Sequence, residues 1–288
     1  MKMTRVIRDI VYGEAGVAHG TAPRQMALRM DAYLPDAPAG PVPAVVLAFG
    51  GSFLRGSKED DSFPTAGRFG PNTAIAEYCR RFAAEGFACF SVGYRLAGDD
   101  PDPGTTPLLT RPDDVPVGRI HEVRKILGMP PATAREMSGS MEAAFDDMTA
   151  AARAVIARAG EFGVDPGRVV LGGWSAGARC ALYAAYAEHV PCAGVLALSG
   201  LIQPEDIEAH VTPGVALPPL LVVMAEADVA SMLDFAPRVV AAMSERGCAV
   251  RLAQIPGRDH WYAAEAMTDA GQTVQQLIRG ALRDWTGQ

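Results

Sequence analysis

The fold is decided by the stretch Val169-Val-Leu-Gly-Gly-Trp-Ser-Ala-Gly177, which joins an apolar run to a helical pattern at residues 178–189. Residues 169–173 predict a buried strand, and the last five residues of the stretch have the form G-x-S-x-G. In this context the serine is expected on a sharp, strained turn, where the positions two before and two after it must lack side chains. We therefore predict that Ser175 projects its hydroxyl from the C-terminal edge of a sheet.

Short apolar runs and helical patterns alternate along most of the chain. The predicted strands are residues 6–12, 28–34, 43–49, 87–92, 169–173, 194–199, 220–224 and 249–255. The predicted helices are residues 74–84, 120–127, 141–159, 178–189, 232–245 and 264–285. Such alternation is typical of an α/β protein with a mostly parallel sheet, and we expect the first two strands to form an antiparallel edge. We predict one domain over residues 1–288, with about eight strands flanked by helices.

Charge and composition exclude several classes of partner. The chain has 26 Lys and Arg residues against 33 Asp and Glu, a net charge of −7, and no basic run, so we expect no nucleic acid. The longest apolar runs are far shorter than the ~20 residues that cross a bilayer, and no secretory signal is visible, so we expect a cytoplasmic protein without a membrane partner. The five scattered cysteines indicate reduced thiols. The sequence does not decide the oligomeric state, and a homo-oligomer stays one of the alternatives.

A segment rich in Pro, Asp, Gly and Thr, residues 99–140, interrupts the alternation after the fourth strand. A connection this long is uncommon in a compact domain unless it is a lid, a binding loop or disordered. We interpret it as an inserted lid or substrate-binding segment. The alternative that this segment is a mobile loop without a function stays open.

A nucleophilic serine needs a base, usually a histidine oriented by a carboxylate. Of the five histidines, only His260 follows the last predicted strand, as the chain order serine, acid, histidine requires. The acid is expected after residues 220–224, where Asp228 is better placed than its rival Glu226. These positions predict that Ser175, Asp228 and His260 form a catalytic triad.

The loop that follows residues 43–49 contains the pair Gly50-Gly51, which lets backbone amides approach a substrate oxygen. We predict that the amides of Gly51 and Ser52, together with the amide of Ala176, form an oxyanion hole. Candidate substrate-binding side chains are Phe53, Trp174 and Trp261.

Two partial motifs each lack a residue that the complete motif requires. The stretch from Gly51 to Lys58 resembles a phosphate loop, but it ends in Gly-Ser-Lys where Gly-Lys-Ser or Gly-Lys-Thr is required. The stretch from His121 to Lys125 begins like the helix of a zinc protease, but lysine replaces its second histidine. We therefore predict neither a cofactor nor a bound metal.

Several segments together resemble the carboxylesterases related to hormone-sensitive lipase, over roughly residues 26–285. These segments are Gly50-Gly-Ser-Phe53, Gly56-Ser-Lys58, Tyr94-Arg-Leu-Ala97, Phe162-Gly-Val-Asp-Pro166 and Gly173-Trp-Ser-Ala-Gly177. The resemblance implies an α/β-hydrolase fold and cofactor-independent hydrolysis of small carboxylic esters with short or medium acyl chains. It implies the same triad and oxyanion hole, and a structural pair between Arg95 and Asp147.

The chain departs from that family's pattern at two positions. Phe49 replaces the histidine before the paired glycines, and Ser52 replaces the third glycine. Ala178 is also found in sequences similar to kynurenine formamidase, so an amidase or formamidase using the same triad is one alternative. A ligand-binding protein of this fold without turnover is another.

Overall fold

The computed structural model describes residues 4–36, 38–63, 70–104 and 107–288. Its centre is an eight-stranded sheet in the order β1-β2-β4-β3-β5-β6-β7-β8. The strands are β1 (Thr4–Val17), β2 (Arg24–Pro35), β3 (Val42–Ala48), β4 (Ala88–Val92), β5 (Val164–Trp174), β6 (Gly194–Leu198), β7 (Leu220–Ala227) and β8 (Val250–Asp259). β1 pairs antiparallel with β2, and β2 antiparallel with β4, whereas the remaining neighbours are parallel. The predicted mostly parallel sheet with an antiparallel edge is confirmed.

Helices flank this sheet, as the alternation predicts. They are α1 (Ile75–Ala84), α2 (Gly118–Ile126), α3 (Ala134–Ala157), α4 (Ala159–Phe162), α5 (Ala176–Tyr186), α6 (Pro204–His210), α7 (Ala230–Glu245) and α8 (Val274–Thr286). α3 packs on α5 through stacked rings of Phe145 and Tyr183, whose centroids lie 4.0 Å apart. The central strands β3 and β6 are buried almost throughout, because helices cover both faces of their apolar runs.

Two predicted helix starts were wrong. α3 begins at Ala134 rather than at residue 141, and α8 begins at Val274 rather than at residue 264. Each helix is started by a capping box, in which a threonine and the side chain three residues later bond each other's backbone amides. The first turns of α3 therefore lie inside the predicted segment 99–140, which also contains α2.

A buried ion pair joins the end of β4 to α3. The Arg95 guanidinium donates from Nη2 to Asp147 Oδ1 at 2.9 Å and from Nε to Asp147 Oδ2 at 3.0 Å. The Arg95 amide also donates to Asp147 Oδ2 at 2.8 Å. Both side chains are buried, so the pairing expected from the resemblance is confirmed, and it fixes the start of the long segment that follows β4.

Replacing Arg95 with methionine is expected to lower the free energy of unfolding by about 3–5 kcal/mol, because it leaves the Asp147 carboxylate buried without a partner. Urea denaturation of the variant and the wild type measures the loss. Arg135 and Asp113 form a comparable but exposed pair, and Arg135→Met should cost less than about 1 kcal/mol. Equal losses in the two variants would contradict a special role for the buried pair.

Candidate active site

Ser175 lies on the turn between β5 and α5 with φ 55° and ψ −114°, a conformation that L residues rarely adopt. The turn is tight because its neighbours press against β3. A Cβ on Gly173 would lie 2.5 Å from the carbonyl oxygen of Ala48, and a Cβ on Gly177 would lie 2.0 Å from it. Both positions therefore require glycine, which is the physical reason for the G-x-S-x-G pattern.

His260 lies between Ser175 and Asp228. Its Nε2 is 3.0 Å from Ser175 Oγ, and its Nδ1 is 2.6 Å from Asp228 Oδ1. Asp228 follows β7 and His260 follows β8, so parallel strands bring both side chains to the edge where Ser175 projects. Glu226, the rival acid, is exposed and accepts a hydrogen bond from the Gly257 amide at 2.7 Å. The three residues predicted as a triad are thus in hydrogen-bonding contact.

The Asp228 carboxylate is buried and accepts several hydrogen bonds besides that of His260. Oδ2 accepts from Ser199 Oγ at 2.5 Å and from the Ala225 amide at 3.2 Å, and Oδ1 accepts from the Val229 amide at 2.8 Å. Burial raises the pKa of Asp228, but the charge of His260 and these hydrogen bonds outweigh it, so the pKa lies below its ordinary value. The carboxylate is therefore ionised at neutral pH.

Ser199 is a site residue that sequence reasoning missed. It follows β6 with φ 48°, is buried, and its hydroxyl also lies 3.0 Å from the hydroxyl of Tyr262. The neighbouring Gly200 has no room for a side chain, since a Cβ there would lie 2.2 Å from the carbonyl oxygen of Ser175. The available signal was the polar pair Ser199-Gly200 at the C-terminal end of a buried strand next to β5.

The loop after β3 has left-handed backbone at three consecutive residues: φ is 130° at Gly51, 61° at Ser52 and 61° at Phe53. Such strain in residues other than glycine is typical of functional sites. Ser52, Ala176 and Ser175 line one cavity, so the loop and the start of α5 lie on the same side of the nucleophile. As the first residue of α5, Ala176 has an amide with no carbonyl one turn earlier to accept its hydrogen bond.

Asp61 holds this loop from behind, and sequence reasoning gave it no role. The buried carboxylate accepts from the Gly50 amide at 2.9 Å and from the Ile75 amide at 2.7 Å, so it ties the loop to the start of α1. Burial raises the pKa of Asp61 to about 7, although the two amide hydrogen bonds act in the opposite direction. Asp61 is therefore partly protonated near neutral pH.

The raised pKa of Asp61 predicts a pH dependence of stability. Between about pH 4 and 7 the folded state holds a proton that the unfolded state has released, so this group makes the free energy of unfolding fall as pH rises, by up to about 1.4 kcal/mol per unit. Asp61→Asn should remove that contribution. Denaturation of both proteins from pH 5 to pH 8 measures it, and a difference that stays constant over this range would contradict the prediction.

A cavity that is partly open to solvent lies beside Ser175 and His260. Phe53, a predicted substrate-binding residue, lines this cavity, and the segment after β4 contributes three more of its lining residues. Those three residues are Pro116, Arg119 and Ile120. The part of residues 99–140 that the structure describes therefore borders the candidate site.

The two predicted tryptophans lie differently. Trp174 is only 3% exposed and is not among the residues that line this cavity. Its ring packs behind His260, with centroids 5.0 Å apart, and against Trp261 at 4.9 Å. Trp261 lines an adjoining cavity that also reaches Asp228 and His260. Both rings therefore pack against the imidazole, and the Trp261 ring lies 5.4 Å from that of His260.

Among the described residues, one group of carboxylates is close enough to share a metal ion: Asp9, Asp31 and Glu59. The Lys58 ammonium already lies among them, 2.7 Å from Asp31 Oδ1 and 3.0 Å from Asp9 Oδ1, and it also contacts Glu59. Burial lowers the pKa of Lys58, but the hydrogen bonds to these carboxylates outweigh it and raise the pKa above its ordinary value. A cation of the protein itself thus occupies the group.

No helix within the described ranges has the length and apolar character needed to cross a bilayer.

Comparison with solved structures shows which proteins share this architecture. Thermogutta terrifontis esterase 2 with propionate bound is 17% identical, with a TM-score of 0.59 over 97% of this chain and 92% of that chain. The same esterase phosphorylated by paraoxon is 18% identical, with a TM-score of 0.57 over 97% and 90%. A bacterial heroin esterase is 20% identical, with a TM-score of 0.54 over 98% and 83%. At these identities the likeness shows the fold alone.

Comparison of the sequence itself gives a family. No match was found among curated proteins. The model of the phospholipase/carboxylesterase family matches residues 132–278, just over half of the chain, a range that holds Ser175, Asp228 and His260. The narrower resemblance to esterases related to hormone-sensitive lipase is not tested by these matches and stays a prediction. The chain belongs to the phospholipase/carboxylesterase family of the α/β-hydrolase fold.

Proposed function

We propose that the protein is a serine hydrolase that cleaves a small carboxylic ester through an acyl-enzyme intermediate. One observation carries the proposal: a single imidazole lies 3.0 Å from the hydroxyl of a serine on a strained turn and 2.6 Å from a buried carboxylate. A serine hydroxyl is a weak nucleophile until a base takes its proton, and this geometry supplies the base and its orienting acid.

In the first half of the reaction, Ser175 Oγ attacks the ester carbonyl while His260 Nε2 takes the hydroxyl proton. Asp228 accepts a hydrogen bond from Nδ1 and stabilises the imidazolium that forms. The negative charge moves to the carbonyl oxygen, where the amides of Ala176, Gly51 and Ser52 are the proposed donors. The tetrahedral intermediate collapses, and the imidazolium donates its proton to the leaving alcohol.

In the second half, water replaces the alcohol. His260 takes a proton from the water as it attacks the acyl carbon, and the same amides hold the oxygen again. The C–O bond to Ser175 breaks, the serine recovers its proton from the imidazolium, and a carboxylic acid leaves. No cofactor or metal takes part in this proposed cycle, and the enzyme needs no macromolecular partner.

The family and the fold neighbours agree with this chemistry. The family's description includes carboxylesterases. Thermogutta terrifontis esterase 2 binds propionate and is phosphorylated by paraoxon. Apolar side chains such as Phe53, Ile120 and Met232 line the cavity and suit an acyl chain, and we propose that residues 99–140 shape it as a substrate-binding segment.

The test is covalent labelling followed by turnover. A fluorophosphonate should label the protein at one site, and mass spectrometry of the digest should place the adduct on Ser175. A panel of 4-nitrophenyl esters with two to eight acyl carbons, compared with matched 4-nitroanilides, separates an esterase from an amidase. Faster cleavage of the anilides would favour the amidase alternative, and absence of both labelling and turnover would favour a binding protein.

A further inference from the structure

Arg179 is a buried cation beside the candidate nucleophile. It lies one helical turn after Ser175, and its amide donates to the Ser175 carbonyl at 3.2 Å. The side chain is 7% exposed and lines the same cavity as Ser175 and His260. Its Nε and Nη2 have no hydrogen-bond partner among the described residues, and Nη1 contacts Met141 Sδ at 3.8 Å. The guanidinium lies near the Tyr183 hydroxyl and acts against the burial that raises the pKa of Tyr183, but its Nε and Nη2 donors have no partner in this buried position.

No carboxylate of the chain pairs with Arg179. The described residues include every Asp and Glu of the sequence, and no ion pair within them involves this arginine. The buried Arg95, by contrast, is fully paired with Asp147. A buried charge without a partner costs considerable free energy, so the lack of a partner for this cavity-lining guanidinium favours one that binds from outside.

Asp206 lies in the same part of the core but its oxygens are already used. Oδ1 accepts from the Thr110 amide at 2.8 Å and from Thr110 Oγ1 at 2.6 Å, and Oδ2 accepts from the Tyr183 hydroxyl and from Gln203 Nε2 at 3.3 Å. Four donors saturate this carboxylate. It serves the loop at Thr110 and leaves the Arg179 donors unused.

A second cation lines the same cavity from the segment after β4. Arg119 packs over the Trp261 ring, with Cζ 5.0 Å from the ring centroid, and contacts the exposed Glu122. No Asp or Glu occurs among the described residues that line the cavity. A chain with a net charge of −7 therefore presents two arginines and no acid to its substrate, which favours an anionic ligand.

We propose that Arg179 binds a carboxylate carried by the ester substrate, so that the substrate is a mono-ester of a dicarboxylic acid or the ester of an acidic alcohol. This inference rests on the proposed esterase function. The planar guanidinium fork matches a carboxylate in two parallel hydrogen bonds. Ser175 and Arg179 line the same cavity, so a short chain links the carboxylate to the ester. Apolar residues suited to that chain line the cavity: Phe53, Ile120, Met141 and Met232.

Matched neutral and anionic substrates test the proposal on both sides of the ester. On the acyl side, mono-4-nitrophenyl adipate is compared with 4-nitrophenyl hexanoate, which has the same number of acyl carbons. On the alcohol side, 3-acetoxybenzoate is compared with phenyl acetate. In at least one pair the wild type should favour the anion at least tenfold in kcat/KM. Arg179→Met should abolish that preference, and Arg179→Lys should retain part of it.

A control variant and a second measurement complete the design. Arg153 is exposed, pairs with Glu188 and lines neither cavity beside His260, so Arg153→Met should keep the wild-type preference. If Arg179→Met does not fold, the proposal is tested instead by measuring how adipate and adipamide inhibit the hydrolysis of phenyl acetate by the wild type. Adipate should then compete at least tenfold better than adipamide, and equal inhibition overturns the proposal.

The failures of the two proposals are distinguishable. Hydrolysis of neutral esters without preference for either anion overturns the carboxylate site and leaves the esterase function standing. A preference that survives Arg179→Met also overturns the assignment to Arg179. Absence of turnover on all four substrates, together with absence of fluorophosphonate labelling, overturns the esterase function and the inference with it.

Discussion

Replacing Ser175 with alanine is expected to lower kcat/KM for ester hydrolysis by about 10⁴- to 10⁶-fold, because the acyl-enzyme no longer forms and only binding and oxyanion contacts remain. Initial rates with a 4-nitrophenyl ester measure the loss. Labelling by a fluorophosphonate should disappear in the same variant. The circular dichroism spectrum should be unchanged, since alanine fills the turn without new contacts.

Ser244 provides the matched control for this substitution. It is exposed near the C-terminal end of α7, away from the residues that line the cavity, so Ser244→Ala should keep both turnover and labelling. A folded Ser175→Ala protein that still hydrolyses the ester within tenfold of the wild type would contradict the proposed nucleophile.

Replacing Asp228 with asparagine is expected to lower kcat/KM by about 10⁴-fold. The amide keeps the shape of the carboxylate but loses the charge that stabilises the imidazolium, and its NH₂ group forces His260 into the wrong tautomer. The depressed pKa of Asp228 agrees with this role, because it keeps the carboxylate ionised at neutral pH. We expect the contribution of this carboxylate to stability to be lost as pH falls through the depressed pKa.

A substitution at Glu226, the alternative acid, distinguishes the two candidates. Glu226→Gln changes an exposed side chain whose partner is the Gly257 amide, so turnover should stay within about twofold of the wild type. The same initial-rate assay is applied to both variants. A severe loss in Glu226→Gln combined with an active Asp228→Asn protein would assign the acid to Glu226 instead.

The positions of Ser175, Asp228 and His260, which the structure brings into hydrogen-bonding contact, were predictable because residue type and chain order both constrain them. Ser175 stands in a strand-to-helix motif, and parallel strands bring the residues after β7 and β8 to the same sheet edge. Chain order thus indicates His260, and chain order together with loop position favours Asp228 over Glu226. The glycines around Ser175 belong to the same class of signal. Glycine is required at both positions because a side chain there would collide with the carbonyl oxygen of Ala48.

Supporting residues were not predictable, because their partners are distant in sequence and carry no repeating pattern. Asp61 bonds the Gly50 amide across an irregular loop, and Ser199 bonds Asp228 from another strand end. In the sequence each resembles an ordinary surface polar residue. Trp174 was predicted to bind substrate because an aromatic side chain next to the nucleophile suits the lining of a pocket. The structure shows instead that its ring packs against His260.

The helix starts could have been predicted more accurately. Thr133 directly precedes α3 and Glu136 is the third residue of that helix, which is the spacing of a capping box. Thr273 and Gln276 have the same positions at the start of α8. Apolar residues upstream of α8 favoured a longer helix, whereas the structure places an antiparallel bridge between Met267 and Thr273 there. A local hydrogen-bonding signal thus outweighs hydrophobic periodicity at a helix boundary.

The position of β8 has a consequence for inactivation. This strand is the last in the sheet order and directly precedes His260, so the base is carried by the margin of the sheet while Ser175 is carried by its middle. Marginal strands detach at a lower free-energy cost than central ones. We therefore expect mild heating to free β8 and to separate the imidazole from the hydroxyl while the inner strands stay paired, so that hydrolysis is lost at a lower temperature than the fold.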